Sequence, residues 1–289
     1  MIPPSFEYLR PATVPEAIAL LEQHGEDAKI LSGGQSLIPM MKLRIARPAY
    51  LIDINRIPGL AYIKEEGGFL KIGGLTREAD LEASALIRSK YPILLETTQV
   101  IADPQVRNLA TVAGNLAHGD PANDHPATML ALGAQVVAAG SHGERVIPIE
   151  EFFVSLFTTA LEPGEILTEI RVPVPAARTG GAYFKLERKV GDFATAAAAA
   201  QVTLDANGVV QKVGIALTNV GPTPIKARKA EEFLRGKKPD AATIRLAAQY
   251  AADESQPSAD LRGPVEYKKG LVKELTRRAL TRSVERANG

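Results

Sequence analysis

The chain has 289 residues, 45% of them hydrophobic, and 34 basic against 33 acidic side chains leave a net charge of +1. That length can bury two real cores, whereas so even a charge balance offers no footprint for nucleic acid, which is not expected as a partner. With no cysteine in the sequence, the chain can form neither a disulfide nor a cysteine-ligated iron–sulfur cluster.

No run approaches the roughly 18 consecutive apolar residues of a membrane span, and Met1-Ile2-Pro3-Pro4 opens no signal peptide. The expectation is a soluble, cytoplasmic protein rather than an integral membrane one. The four histidines show no H-x-x-x-H spacing, so His118 and His125 read as ordinary polar residues of a loop region rather than metal ligands.

Thr13-Val14-Pro15-Glu16 reads as a capping box with proline in the first turn. It starts a helix that lines one face with Ala17, Leu20 and Leu21 and stops at Gly25. Ala28 to Leu31 is a short buried strand, and it runs into Ser32-Gly33-Gly34-Gln35-Ser36, after which Leu37 can open a helix. Strand, small-residue turn and helix start suit a phosphate. Glycines let backbone approach a ligand closely, and Ser and Gln side chains can donate to its oxygens. No third glycine completes a Rossmann fingerprint, and no Gly-Lys-Ser/Thr completes a Walker loop, so the site is of another type. A strand over 50–54 completes a small α/β unit.

From about 60 to 175, short strands at Phe69 to Ile72, Gln135 to Ala139 and Ile166 to Val172 are separated by helices near 91–101 and 124–132. Within this stretch lies a second donor-rich loop, Thr111-Val112-Ala113-Gly114-Asn115, again followed by apolar helical sequence. Two such loops far apart in sequence read as two sides of one pyrophosphate site. The segment from Pro173 to Gly181 has the proline and glycine content of a linker. Beyond it, Ala182 to Arg188, Ala194 to Leu204 and Val209 to Val220 read as three antiparallel strands, the last two joined at Asp205-Ala206-Asn207-Gly208. Helices near 226–235, 240–252 and 264–286 follow, and the basic face of the last reads as solvated or subunit-facing. Lys42, Arg44 and Arg107 read as solvated surface charge. No catalytic triad or carboxylate dyad stands out.

With the two loops and their flanks, the chain resembles the FAD-binding medium subunits of the molybdenum hydroxylases, most closely those of aerobic carbon monoxide dehydrogenases. The likeness spans nearly all of it, from Phe6-Glu7-Tyr8 through Ile72-Gly73-Gly74, Glu162-Pro163-Gly164-Glu165 and Gly191-Asp192-Phe193-Ala194 to Leu217-Thr218-Asn219-Val220. It implies an α+β fold. A FAD-binding domain of the vanillyl-alcohol-oxidase (PCMH) type would cover 1–176, in subdomains of about 1–56 and 57–176. A C-terminal domain with a three-stranded antiparallel sheet and helices would cover 177–289.

The resemblance also implies a site. Ser32, Gly33, Gly34, Gln35, Ser36 and Leu37, with Thr111, Val112, Ala113, Gly114 and Asn115, would hold the FAD diphosphate through backbone N–H groups and the hydroxyls of Ser36 and Thr111. Asp124 would accept from a ribose hydroxyl; as a plain alternative it complements a helix dipole. Leu167 would touch the ring system and Lys185 would stand beside the flavin, where a cation raises its potential. Phe193 would shield one flavin face, in a place where close members of the family carry Tyr; Phe keeps the apolar screen and loses the hydroxyl.

As partners the resemblance implies a molybdenum-cofactor large subunit and a small subunit with [2Fe–2S] clusters, in a dimer of heterotrimers. The implied role is electron transfer to a quinone or similar acceptor, with carbon monoxide as the substrate of the complex. A related hydroxylase of a purine, nicotine-like heterocycle or aldehyde, a standalone flavin oxidase and a flavin-free assembly subunit are the alternatives.

Overall fold

The computed structural model describes residues 2–289, and three sheets organise it. The first lobe contains β1 (Glu7–Leu9), α1 (Val14–His24), β2 (Ala28–Leu31), α2 (Leu37–Lys42) and β3 (Tyr50–Asp53). Its strands are parallel in the order β1-β3-β2, with Leu31 paired to Asp53. Helix α1 begins as its capping sequence dictates. The Thr13 hydroxyl accepts from the Glu16 N–H at 3.3 Å, Glu16 reaches back to the Ala12 N–H at 2.8 Å, and Gly25 ends the helix at φ +54°.

The second lobe opens with β4 (Ile63–Glu66) and β5 (Phe69–Gly73). Six helices follow: α3 (Glu78–Ala83), α4 (Ala85–Lys90), α5 (Pro92–Gln99), α6 (Pro104–Arg107), α7 (Val112–Ala117) and α8 (Asp124–Leu132). It closes with β6 (Gln135–Gly140), β7 (Gly143–Pro148), α9 (Ile149–Phe152), β8 (Phe153–Ser155), β9 (Thr158–Thr159) and β10 (Ile166–Pro173). Five of these strands form an antiparallel sheet in the order β4-β5-β10-β6-β7, and β8 and β9 pair as a small separate ribbon.

The third lobe holds β11 (Thr179–Glu187), β12 (Ala194–Leu204), β13 (Val210–Thr218), β14 (Ile225–Lys226), α10 (Arg228–Leu234), α11 (Ala241–Glu254) and α12 (Val265–Ala287). The three expected strands are present, and the two-residue β14 joins them at the edge of an antiparallel sheet ordered β11-β12-β13-β14.

Strand β12 shows why the third lobe packs against the second. Successive side chains of a strand point to opposite faces. Ala197 and Ala199 therefore join the core built on Leu94 and Met129, while Ala196, Ala198 and Ala200 join the one built on Val272 and Ala279. Alanines on both faces let helix layers close in from either side. The first lobe is seated by a third cluster, in which Ala17, Ile52 and Ile54 meet Ala139 and Ile166 of the five-stranded sheet.

One expectation changes here. Thr179, Gly180 and Gly181, read as linker, open β11. Glycine is needed for packing: a Cβ on Gly180 would collide with the Ser283 carbonyl oxygen and lie 2.6 Å from Arg286 Cβ, so only a bare backbone lets α12 lie across the strand.

Candidate dinucleotide site

The two donor-rich loops, one from each of the first two lobes, meet. Loop Ser32–Ser36 leaves β2 and enters α2, and Thr111 caps α7 with its hydroxyl accepting from the Gly114 N–H at 3.1 Å. The hydroxyls of Ser32 and Thr111 lie 3.0 Å apart and share a hydrogen bond. A Cβ on Gly33 would lie 2.5 Å from the Leu109 oxygen and 2.8 Å from Ala110 Cα, so the backbones of the two loops are in direct contact. Gly34 adopts φ +74°, a left-handed conformation that favours glycine. Gly114 leaves room for the capping hydroxyl, since a Cβ there would be 2.6 Å from Thr111 Oγ1.

Donors remain after the chain's own bonds are made. Among the described residues the backbone N–H groups of Ser32 through Leu37 find no acceptor, and Ser36 makes no capping bond with its side chain. Asn115 Oδ1 is buried with no hydrogen-bond partner. Gln35 is half-buried and donates to the Gly33 carbonyl at 3.3 Å, while Val112 to Asn115, expected as loop, form the first turn of α7 with Val112 and Ala113 buried. Half-buried N–H groups beside hydroxyls are the donors an anion satisfies, and the Asn115 amide oxygen is left to accept from a separate donor.

Sequence reasoning missed the residues that hold these loops together. Residues 76–78 are zipped to 110–112, the Glu78 N–H donating to the Ala110 carbonyl at 3.0 Å and the Val112 N–H to the Thr76 carbonyl at 3.2 Å, with Arg77 bridged to Thr111. The Arg77 guanidinium donates to the Leu109 carbonyl and, at 2.5 Å, to Asn55 Oδ1. Asn55 Nδ2 donates in turn to the Ser32 carbonyl at 2.8 Å and to Asp53 Oδ1 at 2.6 Å. Tyr8 donates to the other oxygen of Asp53. Burial works against the charge of Asp53, but the hydrogen bonds from Tyr8 and Asn55 and the charge of Arg56 hold its pKa below the ordinary value.

A second cluster of expected site residues lies where the second and third lobes meet. Asp124, in the first turn of α8, accepts from the Tyr183 hydroxyl at 2.6 Å and from Lys185 Nζ at 2.9 Å. Lys185 is a buried strand residue, its side chain 2% exposed, and also meets the Val100 carbonyl at 2.9 Å and Glu187 at 3.3 Å. Burial raises the Asp124 pKa against the opposing pull of Lys185 and Tyr183, and burial beside Asp124 raises Tyr183 well above its ordinary value. Leu167 is buried in β10 at a bulge, its carbonyl oxygen where a Cβ on Gly74 would fall. Phe193 stands half exposed in the turn between β11 and β12, whose Gly191 at φ +81° packs on the Ala102 carbonyl.

Two expectations about charge are corrected. Arg107 is buried, donating to Glu82 at 2.9 Å and to the Ile101 carbonyl at 2.9 Å, because the turn before α6 folds its carbonyls back over the side chain. His125 lies in α8 rather than in a loop and is fully buried against Glu78, with 2.8 Å between Nε2 and Oε2. Their carboxylate partners, Glu82 and Glu78, lie 25 and 47 positions away, which no local pattern displays. Among the described residues no cluster of His, Cys, Asp or Glu could hold a metal ion.

Two lobes whose loops meet beside unpaired N–H groups form a site for a phosphate-bearing ligand, and the family matches say which. Residues 4–175 match the FAD binding domain in molybdopterin dehydrogenase, and residues 181–283 match the CO dehydrogenase flavoprotein C-terminal domain. The chain therefore belongs to the FAD-binding subunits of the molybdenum hydroxylases, oxidoreductases in which its cofactor is FAD.

Among its relatives, the carbon monoxide dehydrogenase medium chain of Hydrogenophaga pseudoflava is 48% identical over 97% of both chains. That of Afipia carboxidovorans is 44% identical over 99% of both. The fold is shared with the solved carbon monoxide dehydrogenase of Hydrogenophaga pseudoflava, at a TM-score of 0.96 and 49% identity, covering 99% of each chain.

Proposed function

We propose that this chain is the FAD-carrying electron-transfer subunit of an aerobic carbon monoxide dehydrogenase. It would receive electrons from a small subunit bearing [2Fe–2S] clusters and pass them to an external acceptor, a quinone or similar. A large subunit with the molybdenum cofactor oxidises the substrate. FAD supplies the two-electron carrier that also exchanges electrons singly. The chain's own task is to grip, orient and shield it. Full-length identity to two carbon monoxide dehydrogenase medium chains supports the substrate.

In this reading, Ser32 to Leu37 take the diphosphate through their free N–H groups and the Ser36 hydroxyl, and Thr111 to Asn115 line its other side, where the N–H groups of Val112, Gly114 and Asn115 are already engaged within the chain and the Thr111 hydroxyl faces the first loop. Asp124 still has lone pairs for a ribose hydroxyl after accepting from Tyr183 and Lys185. Leu167 and Phe193 give the ring apolar contacts, and Lys185 supplies a fixed cation. Residues 1–176 form the FAD-binding domain and 177–289 the C-terminal domain. Three subunits assemble twice into a dimer of heterotrimers, cytoplasmic and able to lie against the inner face of the membrane. No helix among the described residues is long and apolar enough to cross one.

The observation that carries the reading is the meeting of the two loops over unpaired N–H groups. It is tested by titrating the purified chain with FAD, where quenching of flavin fluorescence is expected and its absence at saturating FAD overturns the reading. Mass spectrometry of the complex isolated from the native host should show a molybdenum large subunit and an iron–sulfur subunit. Recovery of the chain alone as a complete oxidase would replace the relay with the standalone alternative.

A further inference from the structure

The loops that take the diphosphate belong to different lobes, so their relative position is set by the contacts between lobes: the touching backbones at Gly33, the Ser32–Thr111 hydroxyl bond, and a pair of side chains that joins the two loops through their carbonyls. Arg77 is anchored on the second loop through its own backbone, by the antiparallel bridge to Thr111. Its side chain then reaches toward the first lobe. One guanidinium nitrogen donates to the Leu109 carbonyl and the other to Asn55 Oδ1 at 2.5 Å. Asn55 passes the connection on, its amide nitrogen 2.8 Å from the carbonyl oxygen of Ser32, the residue that opens the first loop.

Each member of this chain has its orientation fixed. Asn55 must present its oxygen to an arginine, which only donates, and its nitrogen to carbonyl and carboxylate oxygens, which only accept. Asp53 accepts from both the backbone N–H and the side-chain amide of Asn55, at 2.8 and 2.6 Å, and is itself held by Tyr8. The planar fork of Arg77 serves two acceptors in set directions, which a lysine ammonium on a flexible stem does not reproduce.

We propose that Arg77 and Asn55 form a clasp that sets the spacing of the two diphosphate loops, and so governs FAD affinity by positioning the loops rather than by binding the phosphates. Preorganised loops incur no ordering cost when the ligand arrives. The inference rests on the FAD reading above, and the experiment separates the two.

The full chain is freed of FAD and titrated with it by fluorescence, alongside thermal melts of the FAD-free protein. Losing a charge-assisted hydrogen bond from the clasp should weaken FAD binding by about 10- to 100-fold in Arg77→Met. Asn55→Ala should weaken it comparably. The double variant should be no weaker than the worse single one within about twofold, because both residues act in one connection. Arg77→Lys, which keeps the charge without the fork, should not restore wild-type affinity, and with Asn55→Ala it carries the test if Arg77→Met does not fold. The clasp is overturned if single variants bind FAD within about twofold of wild type whatever happens to their melting temperatures. It is also overturned if Arg77→Lys restores affinity, or if the two losses multiply, which would make Arg77 an independent phosphate ligand. Failure of the wild-type chain itself to bind FAD overturns the cofactor reading instead.

Discussion

At Gly33 a single hydrogen atom stands where any other residue would drive a carbon into the backbone of the facing loop. The colliding groups are the Leu109 carbonyl and Ala110 Cα, and backbone cannot swing aside as a flexible side chain can. Gly33→Ala is expected to destabilise the protein by about 1–3 kcal/mol, the usual cost of overpacking, and to weaken FAD binding. Denaturant melts with and without FAD check this: the stabilisation that FAD confers on wild type should shrink in the variant. The glycines and hydroxyls of the site were legible in the sequence because their residue types are themselves the signal. Asn55 and Arg77 were not, since their partners are main-chain carbonyls of Ser32 and Leu109, which any sequence would supply. A run of small and hydroxyl residues leaves a pattern in sequence; side chains that bond to backbone leave none.

At the level of elements, the contact of α12 with β11 depends on one bare backbone position. Gly180→Ala should cost about 1–3 kcal/mol by pushing the helix off the strand. FAD affinity should stay within about twofold of wild type, because none of the residues facing Gly180 belongs to the loops. A melt paired with a titration separates the two effects. The strands over Ala28–Leu31 and Ala194–Leu204 are placed where turn signals and apolar runs put them, while Gly180 and Gly181 show how glycine misleads. In sequence it marks a linker and close packing alike.

Strand β7 supplies a second test. Arg145 donates to both oxygens of Glu165 ahead of β10, at 2.6 and 2.8 Å. That pairing holds the Glu165 pKa below the ordinary range of a glutamate despite some burial. A carboxylate depressed in the folded state contributes stability above its unfolded pKa, and the contribution is lost as pH falls through the folded value. The gap in melting temperature between wild type and Arg145→Met should therefore be largest near neutrality and narrow as pH drops from about 6 to 3. A gap independent of pH would assign the effect to packing alone.

Across the whole molecule, the second and third lobes share one core, since Tyr183, Ala197 and Ala216 of the third lie in the same cluster as Leu94, Leu116 and Met129 of the second. They should unfold together, with calorimetric and van't Hoff enthalpies in agreement. The Lys185–Asp124 pair crosses the same junction with side chains 2% and 7% exposed. Removing the cation in Lys185→Met leaves a carboxylate buried without its counter-ion, and about 3–5 kcal/mol of stability should be lost. Restoration by the double variant Lys185→Met with Asp124→Asn would confirm the cause. Full-length resemblance made this architecture legible from sequence. The pairing of Asp124 with Lys185 was not, because residues 61 positions apart display no shared periodicity.

The hydroxyls of Ser32 and Thr111 hold two hydrogens and use one between themselves. Whichever oxygen donates across that gap, the other O–H stays free to turn toward a bound anion. A concerted rotation hands the free hydrogen from one side of the crevice to the other without changing how many are offered. A diphosphate lying beside the two loops would thus keep one hydroxyl hydrogen bond whichever way the pair is turned.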